Sequence, residues 1–346
     1  MKILIPVDPE IPVPPIHYGG VERLVDGLIT AYRKKGHEVY LLANPESSAK
    51  DASAIYKWEA LKSRGFSNVW KNAWRLYSIA KKVKPDVIHS FGRLLYLYPT
   101  LLTYSIPVCM TYGRRISPYS TTLASLMGGG KIHFTSAAGH MLNHLKLFRY
   151  KFTPVYNFTL TDYFIPSESV PKEHLMFLGR IEDIKGTYEA IVTAIATNQK
   201  LLIAGNIQPG HDEYFNEKVK PYLTNPLIIY VGPVNDEQKL YYLQRAKAFL
   251  FPIKWEEPFG IVMAEAMSCG VPVIGFRRGS VPEVVKDGIN GFIVNNTEEM
   301  IEAVNKIGSL DSRIVRADCV SRFSVDVISE QYLTICLLYT SDAADE

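Results

Sequence analysis

The sequence predicts an α/β protein built from two doubly wound, Rossmann-like domains facing a cleft. Three observations predict it. Short apolar, β-branched runs alternate with helical patterns throughout a 346-residue chain, which is too long for one small core. Strands that are apolar on both faces and separated by helices belong to parallel sheets with helices on either side. A stretch near the middle, 156–173, has two prolines, several hydroxyls and no sustained period, and reads as a linker between two such series. The expected organisation is a first domain over 1–155, the linker, a second domain over 174–322, a helix over 323–335 and a tail over 336–346.

In the first half KILIPV, HEVYLLA, DVIHSF, PVCMTY, KIHFTS and TPVYNF read as strands, with the helix GGVERLVDGLITAYRKKG after the first and Gly36 as its stop. Residues 94–113 carry no charge and tempt a membrane-spanning assignment. Pro99 and Pro107 interrupt that run, so a buried helix followed by a buried strand describes it better. In the second half HLMFLGRI, KLLIAG, LIIYVG, AFLFPI, VPVIGF and GFIVN are the strands. The helices between them are GTYEAIVTAIATN, DEQKLYYLQRA, FGIVMAEAMSCG and VPEVVKDG. The last residues, CLLYTSDAADE, back-translate to a transposase adapter used in sequencing libraries, and they are set aside from fold reasoning as one sets aside a fusion scar.

Composition is that of a globular protein: 47% hydrophobic, 21% charged, mean hydropathy near zero. Cys109, Cys269, Cys319 and Cys336 show neither CxxC nor CxxH spacing, which argues against a zinc site or a disulfide framework and suits a reducing compartment. The opening MKILIPVDPE meets an acid too early for a signal peptide, so a cytoplasmic protein is expected. Charge is unevenly divided, with a net +12 over residues 1–155 and −9 over the rest. Lys57–Lys84 holds eight bases against Glu59 alone, with Trp58, Phe66, Trp70 and Trp74 interleaved. That pattern suits a solvated helical face, or a surface for an anionic membrane or an acidic acceptor.

The most informative string is EEPFGIVMAEAMSCGVPVIGF, from Glu256 to Phe276. It follows a strand and opens a helix near Phe259. Amides of Phe259, Gly260 and Ile261 at that helix start, with the positive end of the dipole, would form a phosphate site. Gly260 permits close approach of a ligand to the backbone. Glu257 and Glu265 stand eight apart in an apolar context, where a carboxylate needs a partner; a ribose diol is a suitable one. In FLGRIEDIKGTYEAI, Arg180 and Lys185 lie on the loop between a strand and a helix, a placement that suits a diphosphate. Gly19 and Gly20 form a double-glycine turn after the first strand, without the GxGxxG of a nicotinamide site.

The Glu256–Phe276 string, with FRRGSVPEVVKDGINGFIV after it, resembles the retaining glycosyltransferases of family 4, which have the GT-B fold, and within them the avilamycin-type subgroup. The resemblance covers almost all of residues 1–335. It implies that Glu257 faces the hydroxyls of the transferred sugar and Glu265 holds the nucleotide ribose. Arg180 and Lys185 would hold the donor pyrophosphate, and Gly19 and Gly20 would approach the donor across the cleft. YVGPV resembles the loop that meets the nucleotide base, around Val231 and Gly232, and Asn157 matches an asparagine at the linker entry. One departure stands out. Where the family often has Thr-x-His-Gly this chain has Thr111-Tyr112-Gly113-Arg114, so His89, on a neighbouring strand end, is the candidate for part of the missing histidine's role. Neither a DxD motif nor metal-ligand spacing occurs in the sequence, so no metal and no cofactor is expected beyond a UDP- or GDP-sugar substrate. Expected partners are that donor and an unidentified acceptor, lipid-linked or an acidic glycan, with peripheral membrane contact through the basic first domain. Nucleic acid is not expected. Two alternatives stay open: a nucleotide-sugar epimerase or hydrolase of the same fold, and a basic-surface binding protein without catalysis.

Overall fold

A computed structural model describes residues 1–15, 19–113, 116–143, 145 and 152–341. Arg114 and residues 342–346 of the expected tail lie outside these. The chain divides into two compact units, Met1–Asn157 with Val325–Glu346, and Phe158–Ser324.

Unit 1 starts with β1 (Lys2–Pro6), α1 (Gly20–Lys34), β2 (Glu38–Ala43), β3 (Ala54–Lys57) and α2 (Phe66–Val83). There follow β4 (Val87–Ser90), α3 (Tyr98–Thr103), β5 (Val108–Tyr112), α4 (Pro118–Met127), β6 (Ile132–Ser136) and β7 (Phe152–Pro154). The sheet order is β3-β2-β1-β4-β5-β6-β7, parallel at every pairing. Ile3, Leu4 and Ile5 are fully buried, as a central parallel strand requires. The charge-free run resolves into a 3-10 turn (Leu94–Leu97), α3 and β5, and no helix among the described residues is long and apolar enough to cross a membrane.

Two strands differ from expectation. The edge strand β3, AIYK, escapes sequence reading because its residues are only half-buried or exposed and show no clean alternation. The strand expected in TPVYNF lies upstream and ends at Pro154, which closes the pairing with β6.

Unit 2 contains β8 (His174–Leu178), α5 (Thr187–Ala196), β9 (Leu201–Ala204), the single turn α6 (Asp212–Tyr214), β10 (Ile228–Gly232), α7 (Asp236–Arg245) and β11 (Ala246–Phe251). It continues through α8 (Ile261–Ser268), β12 (Val273–Phe276), α9 (Val281–Val284), β13 (Gly291–Val294), α10 (Thr297–Lys306) and α11 (Ser312–Phe323). Its order is β10-β9-β8-β11-β12-β13, so the strand order reverses between β8 and β11. Ligands of open parallel sheets bind beyond the strand C-termini at such a reversal. The last helix, α12 (Val325–Ser341), belongs to unit 1. It runs without a break across the junction with the adapter-like tail, and Cys336 is buried.

The expected linker is a correction. Residues 158–173 are part of unit 2, with Phe158, Thr159, Thr161 and Phe164 buried. Arg316 explains it: its guanidinium donates to the carbonyls of Phe164 and Thr161, each across 3.1 Å. The Ser268 hydroxyl donates to the same Phe164 carbonyl at 2.6 Å. Prolines and missing periodicity signal irregular backbone, and here side-chain donors satisfy that backbone in place of a ladder. The helix expected in VPEVVKDG shrinks to one turn, because Val285 is extended and the Asn290 side chain caps the Lys286 amide at 2.8 Å.

Candidate functional site

The loops after β8 and β11 meet at the strand reversal of unit 2. Gly186 adopts φ +77 there, and a Cβ would lie 2.0 Å from the Pro252 carbonyl oxygen, so only glycine fits. The Lys254 amide donates to the Ile184 carbonyl at 2.8 Å, and the Lys254 ammonium reaches Asp183 and Glu189, each at 2.7 Å. These ties carry Lys185 onto Glu257, and the two side chains form an ion pair.

Trp255 completes the pair. Its indole N–H donates to Glu257 Oε2 at 3.0 Å, the oxygen that Lys185 also contacts. The Lys185 ammonium sits 4.9 Å from the centre of the Trp255 ring, a cation–π distance. The loop after β12 steadies the Glu257 backbone: Ser280 donates its amide to the Glu257 carbonyl at 3.1 Å, and Gly279, at φ +53, donates to Glu256 at 2.9 Å. Arg180 bonds Glu182 at 2.7 Å and reaches Gln208 at 3.4 Å. Both candidate cations therefore start neutralised by carboxylates, and an incoming anion has to take them over.

The second carboxylate, Glu265, is buried on α8. Its Oε1 receives Lys239 at 2.6 Å, while Oε2 is buried with no hydrogen-bond partner. Lys239 also contacts Asp236 at 3.1 Å. Burial works against its ammonium, but the two carboxylates outweigh burial and hold its pKa above the usual lysine value. A buried acceptor left open at a strand reversal is the kind of group a ligand hydroxyl satisfies. Gly232 ends β10 at φ +73, and its carbonyl accepts the Gly205 amide at 2.8 Å.

The helix start requires one correction. Gly260, at φ +71, is the N-cap and α8 begins at Ile261, not near Phe259. Phe259 is buried against Phe323, ring centres 5.4 Å apart, and its carbonyl accepts from the Ser280 hydroxyl at 2.7 Å. That bond engages the Phe259 carbonyl and fixes the turn that leads into Gly260 and Ile261 at the helix end. A Cβ on Gly260 would come within 2.9 Å of Phe251.

In unit 1, Gly20 is the first residue of α1 and Gly19 its N-cap; a Cβ on Gly19 would meet Pro15 at 2.6 Å. His89 is a correction. It is fully buried, with Nδ1 3.1 Å from the Tyr32 hydroxyl and Nε2 3.0 Å from the Thr111 hydroxyl. Its ring packs on Phe91 and Tyr332, with centres 4.5 and 4.6 Å apart. Burial lowers its pKa to about 3, so it is a neutral core residue with both nitrogens engaged. Trp58 is also core: it is buried and donates its indole N–H to the Val7 carbonyl at 2.7 Å.

Sequence reasoning missed Trp255, Lys239 and Glu182. Trp255 borders the glutamate string, but a tryptophan in a loop carries no motif. Lys239 and Glu182 belong to the site only through pairings that no spacing encodes. Among the described residues no group of three or more His, Cys, Asp or Glu side chains is placed to hold a metal.

Both units of the chain are similar to known proteins. Residues 163–321 match the family described as Glycosyl transferases group 1, and residues 18–127 match Glycosyltransferase Family 4. An uncharacterised 41.2 kDa protein in the cps region of Klebsiella pneumoniae is 32% identical over 138 residues, 39% of this chain and 35% of that protein. The chain thus spans about a third of the length of that curated relative. Among solved structures, AviGT4, a glycosyltransferase involved in avilamycin A biosynthesis, superposes with a TM-score of 0.74 at 21% identity, covering 99% of this chain and 98% of its own. Anabaena HepE, in complex with UDP and glucose, gives 0.75 at 16% identity, with coverage of 97% and 99%. Two family matches, one on each unit, and two doubly wound sheets of the GT-B type place the chain among the GT-B glycosyltransferases of family 4.

Proposed function

We propose that the chain moves a sugar from a UDP- or GDP-sugar to an acceptor hydroxyl, with retention at the anomeric carbon and without a metal. The observation that carries this is the Lys185–Glu257 pair on Trp255 at the strand reversal, with Arg180 on the same loop as Lys185. In the reaction the bond from the anomeric carbon to the diphosphate breaks and the bond to the acceptor oxygen forms. The acceptor proton passes to a phosphate oxygen of the leaving diphosphate. Lys185 and Arg180 supply fixed positive charge where negative charge develops, which is the part a metal plays elsewhere. As Lys185 turns to the diphosphate, Glu257 becomes available to the sugar hydroxyls. Glu265 Oε2 accepts from the ribose. Solved neighbours support a nucleotide-sugar donor, since HepE is described in complex with UDP and with UDP-glucose.

The acceptor belongs to the proposal as a lipid-linked or acidic glycan met by the basic unit 1, in a cytoplasmic protein resting against the inner face of a membrane. An epimerase or hydrolase reading requires only donor and water. Donor consumption with and without acceptor, with the product anomer read by NMR, separates the two. Rapid turnover without acceptor favours the hydrolytic reading, and an inverted product overturns retention.

A further inference from the structure

Unit 1 carries an apolar and basic surface that the donor chemistry does not use. Helices α2, α3 and α4 bury their inner sides in one core cluster, through Leu76, Ile79, Leu101 and Ala124 among others. They therefore form one layer on one face of the sheet. Their outer sides are not polar. On α2, Phe66, Trp70 and Trp74 recur every four residues as an exposed stripe, and Phe66 is 88% exposed. The stripe is continuous: Phe66 stacks on Trp70 with centres 6.4 Å apart, Trp70 meets Trp74 edge-on at 6.0 Å, and Trp74 meets Tyr77 at 5.4 Å. It ends on Lys81, whose ammonium lies 4.7 Å from the Tyr77 ring centre. On α3, Leu102 is 64% exposed; on α4, Tyr119 is 89% and Leu126 is 76% exposed, with Leu123 between them.

A soluble surface rarely gathers this much apolar area in one layer without an occupant. Charge selects the occupant. Lys62, Arg64, Lys71, Arg75 and Lys82 lie on or just before α2, and the only acid from Lys57 to Lys84 is Glu59, within 4.0 Å of Arg75. A second copy seated through the same face would bring like charge against like charge. An anionic bilayer instead accepts aromatic rings at headgroup depth and attracts the surrounding bases. We infer that the outer face of α2, α3 and α4 docks unit 1 on an anionic lipid surface. The inference deepens the acceptor reading above, since a docked unit 1 meets a lipid-linked acceptor in the plane of its membrane. It does not depend on the donor site in unit 2.

The test is flotation of the whole chain with vesicles of phosphatidylcholine, and with vesicles of phosphatidylcholine and phosphatidylglycerol in equal parts. The expected result is binding to the anionic vesicles alone, weakened by salt. The triple variant Phe66→Ser, Trp70→Ser, Trp74→Ser is expected to bind ~10-fold or more weakly. Lys71→Gln and Lys82→Gln are each expected to lose ~5-fold. Quenching of tryptophan fluorescence by brominated lipid reads the same contact in the unaltered protein, so the inference remains testable if the triple variant misfolds. Equal binding to both vesicle types, binding to neither, wild-type binding by a folded triple variant, or a self-associating chain that ignores lipid overturns it. Thermal stabilisation by UDP and by GDP, measured alongside, reports the donor site separately: no stabilisation by either with vesicle binding intact counts against the donor reading and leaves this one standing.

Discussion

Lys239 Nζ lies 2.6 Å from Oε1 of Glu265, while Oε2 of the same buried carboxylate has no hydrogen-bond partner. One oxygen is held by a lysine that fixes the carboxylate, and the other is an open buried acceptor on α8. Glu265→Gln removes the charge that Lys239 needs and disturbs the open acceptor. The expected loss is about 1–3 kcal/mol in nucleoside diphosphate affinity, the scale of hydrogen bonds to charged groups. Calorimetric titration checks it, and wild-type affinity would remove Glu265 from the site.

Arg180→Ala and Lys185→Ala should each cost donor affinity or rate by about 1–3 kcal/mol, as expected for a lost charge-assisted contact. Lys185 starts in an ion pair with Glu257, so its loss also frees that carboxylate. Steady-state kinetics on both variants tests this, and unchanged turnover contradicts the diphosphate assignment.

Trp255 bonds Glu257 through its indole N–H, so on the proposed mechanism its effect should separate from that of the diphosphate contacts. Trp255→Phe keeps a ring beside Lys185 but removes the indole N–H. Binding of free diphosphate nucleotide should change little. Turnover should fall by about tenfold or more, since a hydrogen bond to a charged group contributes about 1.5–3 kcal/mol. Equal losses in both would mean that Trp255 only supports the fold.

Gly186→Ala forces a Cβ to within 2.0 Å of the Pro252 carbonyl oxygen at a left-handed φ. Strain and steric conflict together should cost about 2–4 kcal/mol of unit 2 stability, and should part Lys185 from Glu257. Denaturant unfolding and nucleotide titration measure the two effects.

The buried His89 makes unit 1 sensitive to acid. Its pKa falls from the ordinary value to about 3 through burial, and that of His133 falls to about 4 for the same reason. Between each lowered value and about 6.5, the unfolded chain binds a proton that the folded chain refuses. The stabilisation is therefore complete above about 6.5 and is lost as pH falls through that window, at about 1.4 kcal/mol per pH unit for each histidine. His89→Gln should flatten the acid limb by one proton and leave nucleotide affinity at its wild-type value. Loss of turnover with normal folding would restore His89 to the site.

The sequence made the strands legible where burial is complete, as in KILIP and VIGF, because apolar runs on both faces admit one reading. It hid β3, whose half-buried edge position leaves no pattern. The strap after Phe158 was hidden for another reason: its order depends on Arg316, which lies more than 150 residues away. In the site, glycines and charged residues at strand ends announced themselves. Which carboxylate neutralises which cation did not, since Glu182 and Glu257 choose between Arg180 and Lys185 only once the loops are folded. His89 misled because a histidine at a strand end looks the same whether it faces the ligand or the core.

The most direct test of the donor site is thermal stabilisation of the purified chain by UDP, GDP, ADP and TDP in turn, with metal chelated. A ligand that binds only the folded protein raises the midpoint, so one nucleotide should raise it clearly and the Lys185→Ala variant should reduce the rise. No shift with any of the four, or a shift that survives Lys185→Ala and Glu265→Gln unchanged, would contradict the placement of the donor at the strand reversal of unit 2.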